Sequence, residues 1–103
     1  MEAIDLKGRK ALVIGVANAD SLAWWAAKHI RGAGADLAMT SLNDKAMPYV
    51  APLAAELGVE ILLPCDVRVP GQLEAVFDAI KAKWGRIDVL FHAIAWARKE
   101  DLH

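Results

Sequence analysis

The sequence predicts an α/β fold in which a parallel sheet is wound by helices on both faces. Three observations predict it. Strand-like and helix-like segments alternate four times with no internal linker between them. The strand-like runs, such as Ala11-Leu12-Val13-Ile14, are apolar at successive positions, as strands covered on both faces must be. The first of them runs straight into a glycine turn and then a helix, the opening of a βαβ unit.

The first strand is expected near Lys10 to Val16, and the first helix from Leu22 to Ala33. Leu22, Trp25, Ala26, His29, Ile30 and Ala33 recur at i, i+3, i+4 spacing and mark its expected apolar face. Ser21 is a good N-cap, and Gly32 and Gly34 mark the end. A second strand follows near Ala35 to Thr40. Asn43 or Asp44 caps the second helix, which ends at Leu57-Gly58. Pro48 suits its first turn. Pro52 lies inside it, removes one hydrogen bond, and is expected to bend or split the helix.

The third strand is expected from Val59 to Pro64. Pro70 is expected to open the third helix, where Leu73, Val76, Phe77, Ile80 and Trp84 share one face. Gly85 fits its C-terminal cap. The fourth strand runs from Ile87 to about Ile94. With right-handed crossovers the elements give a Rossmann-like, doubly wound parallel sheet, its N-terminal half, with strand order 3-2-1-4.

A chain of 103 residues suggests one domain at most. A hydrophobic share of 56% excludes a disordered chain. A net charge of −1 with no basic run argues against nucleic acid or an anionic membrane as partner. No apolar run approaches the roughly 18–20 residues that span a bilayer. Met1 to Lys7 has no secretory h-region. The lone Cys65 permits no internal disulfide, which fits a reducing cytoplasm. With no base partner in view, Cys65 reads as a small buried residue at a strand end.

In an open α/β sheet, ligands bind outside the carboxyl ends of the strands, here at the switch point between the first and fourth. The first end is Gly15-Val16-Ala17-Asn18-Ala19-Asp20-Ser21. Gly15 permits a tight turn and a close backbone approach. The unpaired amides and dipole of the helix that follows favour a phosphate, which the Ser21 hydroxyl is also placed to contact. The stretch is not G-x-G-x-x-G, so by itself it is equally an ordinary strand–turn–helix corner.

The second end, Thr40-Ser41-Leu42-Asn43, lacks the acidic residue that usually binds adenosine ribose hydroxyls. It also lacks an Arg to pair a 2′-phosphate, and Lys45 reads as a solvated charge. At the third end Asp66 has two equal readings: an acceptor for an adenine amino group, or a capping or turn carboxylate ahead of Pro70. The fourth end is His92-Ala93-Ile94-Ala95. His92 reads as a packed histidine with a hydrogen-bonded ring, and His29 as core-edge packing. Neither has the neighbours of a metal site. The four scattered Trp residues favour packing over base stacking.

Read together, these strand ends resemble the short-chain dehydrogenase/reductase superfamily and, within it, the bacterial enoyl-acyl-carrier-protein reductases. That branch carries a Gly-x5-Ser turn, here Gly15 to Ser21. The likeness continues through Ser21-Leu22-Ala23-Trp24, Leu42-Asn43-Asp44-Lys45, Leu63-Pro64-Cys65-Asp66-Val67 and Trp84-Gly85-Arg86-Ile87-Asp88. It ends in His92-Ala93-Ile94-Ala95-Trp96-Ala97 and Lys99-Glu100-Asp101-Leu102, so it covers essentially the whole chain.

The resemblance implies an NADH-dependent enoyl-acyl-carrier-protein reductase of fatty acid biosynthesis, cytoplasmic, acting on an acyl-carrier-protein thioester. It implies a homo-oligomer in full-length form. Gly15, Ser21 and Leu22 would hold the pyrophosphate region of NAD. Leu42 would lie beside the adenosine ribose, Asp66 and Val67 beside the adenine, and Ile94 near the nicotinamide half. Ala97 would lie near the acyl substrate. Three positions depart from the family. Ala93 stands where Ser is frequent, Trp25 where a small residue is expected, and Trp96 where Phe is usual. The family's Tyr-x6-Tyr-x6-Lys arrangement is not among these residues, where Tyr49 is the only Tyr. Residues 1–103 are therefore expected to be an NAD-binding half-domain truncated before the catalytic segment, with no catalytic residue and no metal. Two alternatives are another short-chain dehydrogenase and a non-catalytic nucleotide-binding module.

Overall fold

Four parallel strands form the centre of the computed structural model, which describes residues 5–18 and 21–92. The elements are β1 (Lys10–Val16), α1 (Leu22–Gly32), β2 (Asp36–Ser41), a 3-10 turn (Asp44–Ala46), α2 (Met47–Leu57), β3 (Ile61–Pro64), α3 (Gln72–Trp84) and β4 (Val89–His92). The strand order is β3-β2-β1-β4, as the sequence predicts.

β1 is central because its run is apolar on both sides. Ala11, Val13 and Val16 join Leu37 and Met39 of β2 under α1 and α2. Leu12 and Ile14 face the other way, with Ala38, Ile61 and, from α3, Val76 and Ile80. Leu12 is fully buried, so its truncation to Ala would cost about 2–5 kcal/mol.

The buried face of α1 is not the expected one. Ala23, Trp24, Ala26 and Ala27 are buried, while Leu22, Trp25 and His29 are exposed. Small alanines let the helix backbone approach the sheet closely, and bulky Leu22 and Trp25 are turned outward. His29 is not core-edge packing; its ring lies 4.3 Å from that of Trp25 on the outer surface. Trp24 packs inward, with Lys28 Nζ 5.9 Å from its ring centre.

Pro52 does not split α2, which is continuous from Met47 to Leu57. The ring removes one N–H from the ladder, and the buried Val50 and Ala54 on either side still anchor the helix to the core. Asn43 caps the preceding 3-10 turn by accepting the Ala46 N–H at 2.9 Å. Gly58 closes α2 in the left-handed region, and the Val59 N–H returns to the Ala54 carbonyl. That bond draws Val59 into the helix cap, so β3 begins at Ile61 rather than Val59. α3 begins at Gln72, not at Pro70, because Pro70 sits in a turn closed by Val69 to Asp66 and Gln72 to Val69 hydrogen bonds.

The amino ends of the strands are tied by charge. The Lys10 N–H donates to Asp88 Oδ2 at 2.8 Å, and Lys10 Nζ pairs with Asp36 at 2.6 Å. Arg86 donates to both Asp88 and the Gly8 carbonyl. Among the described residues, no helix is long and apolar enough to cross a membrane.

Candidate functional site

In a parallel sheet all carboxyl ends lie on one side, so the described parts of the segments singled out in the sequence, with His92 alone standing for the fourth, share one end of the molecule. At the first, Gly15 has φ 95°, a left-handed conformation open mainly to glycine. The β1–β2 register runs Val13 to Met39, then Val16 to Ser41. Ile14 and Gly15 thus stand opposite the single residue Thr40, which is a β-bulge. The buried Thr40 hydroxyl fills the gap by accepting the Gly15 N–H at 3.1 Å. One residue on, Leu42 N–H donates to the Val16 carbonyl at 2.8 Å.

Ser21 caps α1 as expected: its Oγ accepts the Trp24 N–H at 3.1 Å. The same hydroxyl donates to the Asn18 carbonyl at 2.9 Å, so its one proton holds the turn together. The first turn of α1 contains no acidic residue, and His29 and Arg31 stand in its last turn. Within α1 itself, no acidic side chain offsets the positive end of its dipole.

Leu22, Leu42 and Val67 are among the apolar side chains exposed at this end of the sheet. Leu22 is 63% exposed, Leu42 40% and Val67 41%. Each follows a different strand. Exposed apolar groups gathered at one end of a sheet mark a binding surface more often than isolated ones do.

Asp66 is engaged within its own loop. Its Oδ1 accepts the Arg68 N–H and Nε, each at 3.0 Å, and its Oδ2 accepts an Arg68 guanidinium N–H at 2.9 Å. The guanidinium, then the backbone amide, hold its pKa down to about 2. The Asp66 N–H donates to Gln72 Oε1 at 2.8 Å, tying the end of β3 to the start of α3. Asp66 thus fulfils the turn reading, and one carboxylate lone pair remains for a further donor. An open cleft of about 330 Å³ lies beside it, between Asn43, Asp44 and Lys45 on one wall and Asp66, Arg68 and Gln72 on the other.

Cys65 is buried, and burial first, then the nearby Asp66 and Glu74 charges, push its thiol pKa up. It stays protonated and acts as packing, as the sequence suggests. His92 is exposed on β4 rather than packed, because alternate residues of β4 turn away from the core. Ile94 and Ala97 lie outside the described residues. Among the described residues no group of three His, Cys, Asp or Glu is arranged to hold a metal ion.

Sequence reasoning missed Thr40, Arg68 and Gln72. Thr40 carried a signal: a polar residue at the end of the buried run Leu37-Ala38-Met39 needs a hydrogen-bond partner. Arg68 and Gln72 carried none, since their partners depend on the path of one loop.

Residues 15–103 match the family model described as "Enoyl-(Acyl carrier protein) reductase". The chain is 44% identical over 97 residues to enoyl-[acyl-carrier-protein] reductase [NADH] 2 of Rhizobium meliloti, covering 94% of this chain and 36% of that protein. It is 40% identical over 102 residues to a Nostoc enoyl-[acyl-carrier-protein] reductase [NADH], covering 96% of this chain and 40% of that one. The crystal structure of the Anaplasma phagocytophilum enoyl-acyl-carrier-protein reductase in complex with NAD superposes with a TM-score of 0.86 at 38% identity. That match covers 98% of this chain and 38% of the other. The chain thus spans about two fifths of the length of these relatives.

Proposed function

This chain belongs to the enoyl-acyl-carrier-protein reductase family, and from that membership we propose that it is the cofactor-holding part of an NADH-dependent enoyl-acyl-carrier-protein reductase. The observation that carries the reading is the first strand end, where a left-handed Gly15, a Ser21 cap and an acid-free first turn of α1 meet. These residues fit a pyrophosphate. Gly15 keeps the turn free of a side chain, and the α1 amides offer donors where the dipole is positive.

Gly15, Ser21 and Leu22 hold the pyrophosphate region. Leu42 lies against the adenosine ribose, and Asp66 and Val67 border the adenine, with the free Asp66 lone pair taking the amino group. Ile94 serves the nicotinamide half and Ala97 the acyl group. When bound, NADH supplies a hydride to the β-carbon of a trans-2-enoyl thioester. The share of these residues is to bind and orient; the resemblance places proton handling in a Tyr/Lys segment that is not among them. The partner is an acyl-carrier-protein thioester, the enzyme is a homo-oligomer, and the single free thiol suits a cytoplasmic setting.

NADH titration, followed by calorimetry, tests the reading. Saturable binding that Gly15→Ala abolishes is the expected result. Absence of binding in the folded protein would refute it.

A further inference from the structure

We infer that Thr40 is a positioning residue for the cofactor turn, holding Gly15 in its bulged conformation from the sheet side. The inference rests on the proposed cofactor reading. It starts from an imbalance in the ladder: two residues of β1, Ile14 and Gly15, face one residue of β2. One Thr40 backbone cannot pair with both. Its side chain supplies the missing acceptor, at 3.1 Å from the Gly15 nitrogen. Thr40 is fully buried, so no water stands in for the hydroxyl if it is removed.

The same bond links two strand ends. Gly15 opens the turn toward Ser21, and Thr40 lies two residues before Leu42. Immediately beyond the bulge, Val16 and Leu42 are joined backbone to backbone, and the Ser41 hydroxyl donates to the Asn43 carbonyl at 2.9 Å. Thr40 therefore sets the spacing between the segment assigned to the pyrophosphate and the segment assigned to the ribose. Its side chain bonds the first of these segments at the Gly15 N–H, and its backbone continues into the second.

Two substitutions separate the hydroxyl from the shape. Thr40→Val keeps the volume and loses the acceptor. Thr40→Ser keeps the acceptor and loses a methyl group. NADH titration of the protein is expected to show affinity roughly tenfold weaker for Thr40→Val, the scale of one lost buried hydrogen bond. Thr40→Ser is expected to stay within about twofold of wild type, since only packing is trimmed. Amide exchange at Gly15 is expected to accelerate in Thr40→Val alone, which reads the bond directly even if that variant is less stable. Wild-type affinity in Thr40→Val, or equal losses in both variants, would overturn the inference. If wild-type protein takes up no NADH, the cofactor reading itself fails and the inference falls with it.

Discussion

Asp88 accepts the backbone N–H of Lys10 at 2.8 Å, joining the first residue of β1 to the residue before β4 across 78 positions of sequence. The Asp88 N–H in turn donates to the Lys10 carbonyl at 2.7 Å. The Trp84-Gly85-Arg86-Ile87-Asp88 segment, one of those that carry the family resemblance, thus acts as a clasp at the end of the sheet remote from the proposed site.

The clasp makes stability pH-dependent. The Lys10 amide first, and then the Arg86 guanidinium, hold the Asp88 pKa below its ordinary value of 3.8. A carboxyl lowered on folding stabilises the fold above its unfolded pKa, and that contribution is lost as pH falls through the folded value. Asp88→Ala is expected to lower the thermal midpoint at pH 7, with the gap to wild type closing between pH 4 and pH 2. A gap of constant size across that range would exclude an ionic contribution.

Gly15→Ala places a side chain at φ 95°. The left-handed region costs a non-glycine residue about 1–2 kcal/mol. Chemical denaturation is expected to show a loss of that size together with loss of NADH binding. A variant of unchanged stability would mean that the turn relaxes freely.

Asp66→Ala removes the acceptor for both Arg68 and the proposed adenine amino group. NADH binding is expected to weaken about tenfold, as for one unmatched polar partner. Because the Asp66 pKa lies at about 2, its contribution is complete at neutral pH and is lost only in strong acid. Calorimetry on Asp66→Ala and Arg68→Ala separates the roles: Arg68→Ala frees the carboxylate and should spare binding, whereas equal losses would assign the effect to the loop alone.

NADH is expected to be preferred over NADPH. Leu42 is exposed at the end of β2, Asp44 repels a phosphate nearby, and the Arg68 guanidinium across the cleft is already paired with Asp66. Comparative titration with the two cofactors decides the matter, and tighter NADPH binding would assign Lys45 to the 2′-phosphate.

Leu90 is 53% exposed on β4, which among the described residues pairs only with β1. An open edge beside an exposed leucine favours association. Light scattering of the chain alone is expected to show mass rising with concentration, and Leu90→Lys to reduce it. A monomer at all concentrations would show that the edge is protected.

The apolar runs, the glycine and proline punctuation and the Ser21 cap determined the element order, the parallel sheet and the strand order. The runs are local and legible because burial on both faces of a strand leaves a continuous apolar string, and the strand order followed from them through the rule of right-handed crossovers. Gly15 and the Ser21 cap were legible from residue type and position, whereas Asp66 stood between a turn and an adenine reading until the structure showed its bonds to Arg68. Which face of α1 is buried was not: spacing alone allows Leu22 and Trp25 inward, and only close approach to the sheet selects the alanines. The exposure of His92, the survival of α2 through Pro52 and the late starts of β3 and α3 were likewise decided by tertiary hydrogen bonds and packing. The pairing of Gly15 with Thr40 belongs there too, since a bulge exists only when two strands are placed side by side and one is found a residue longer.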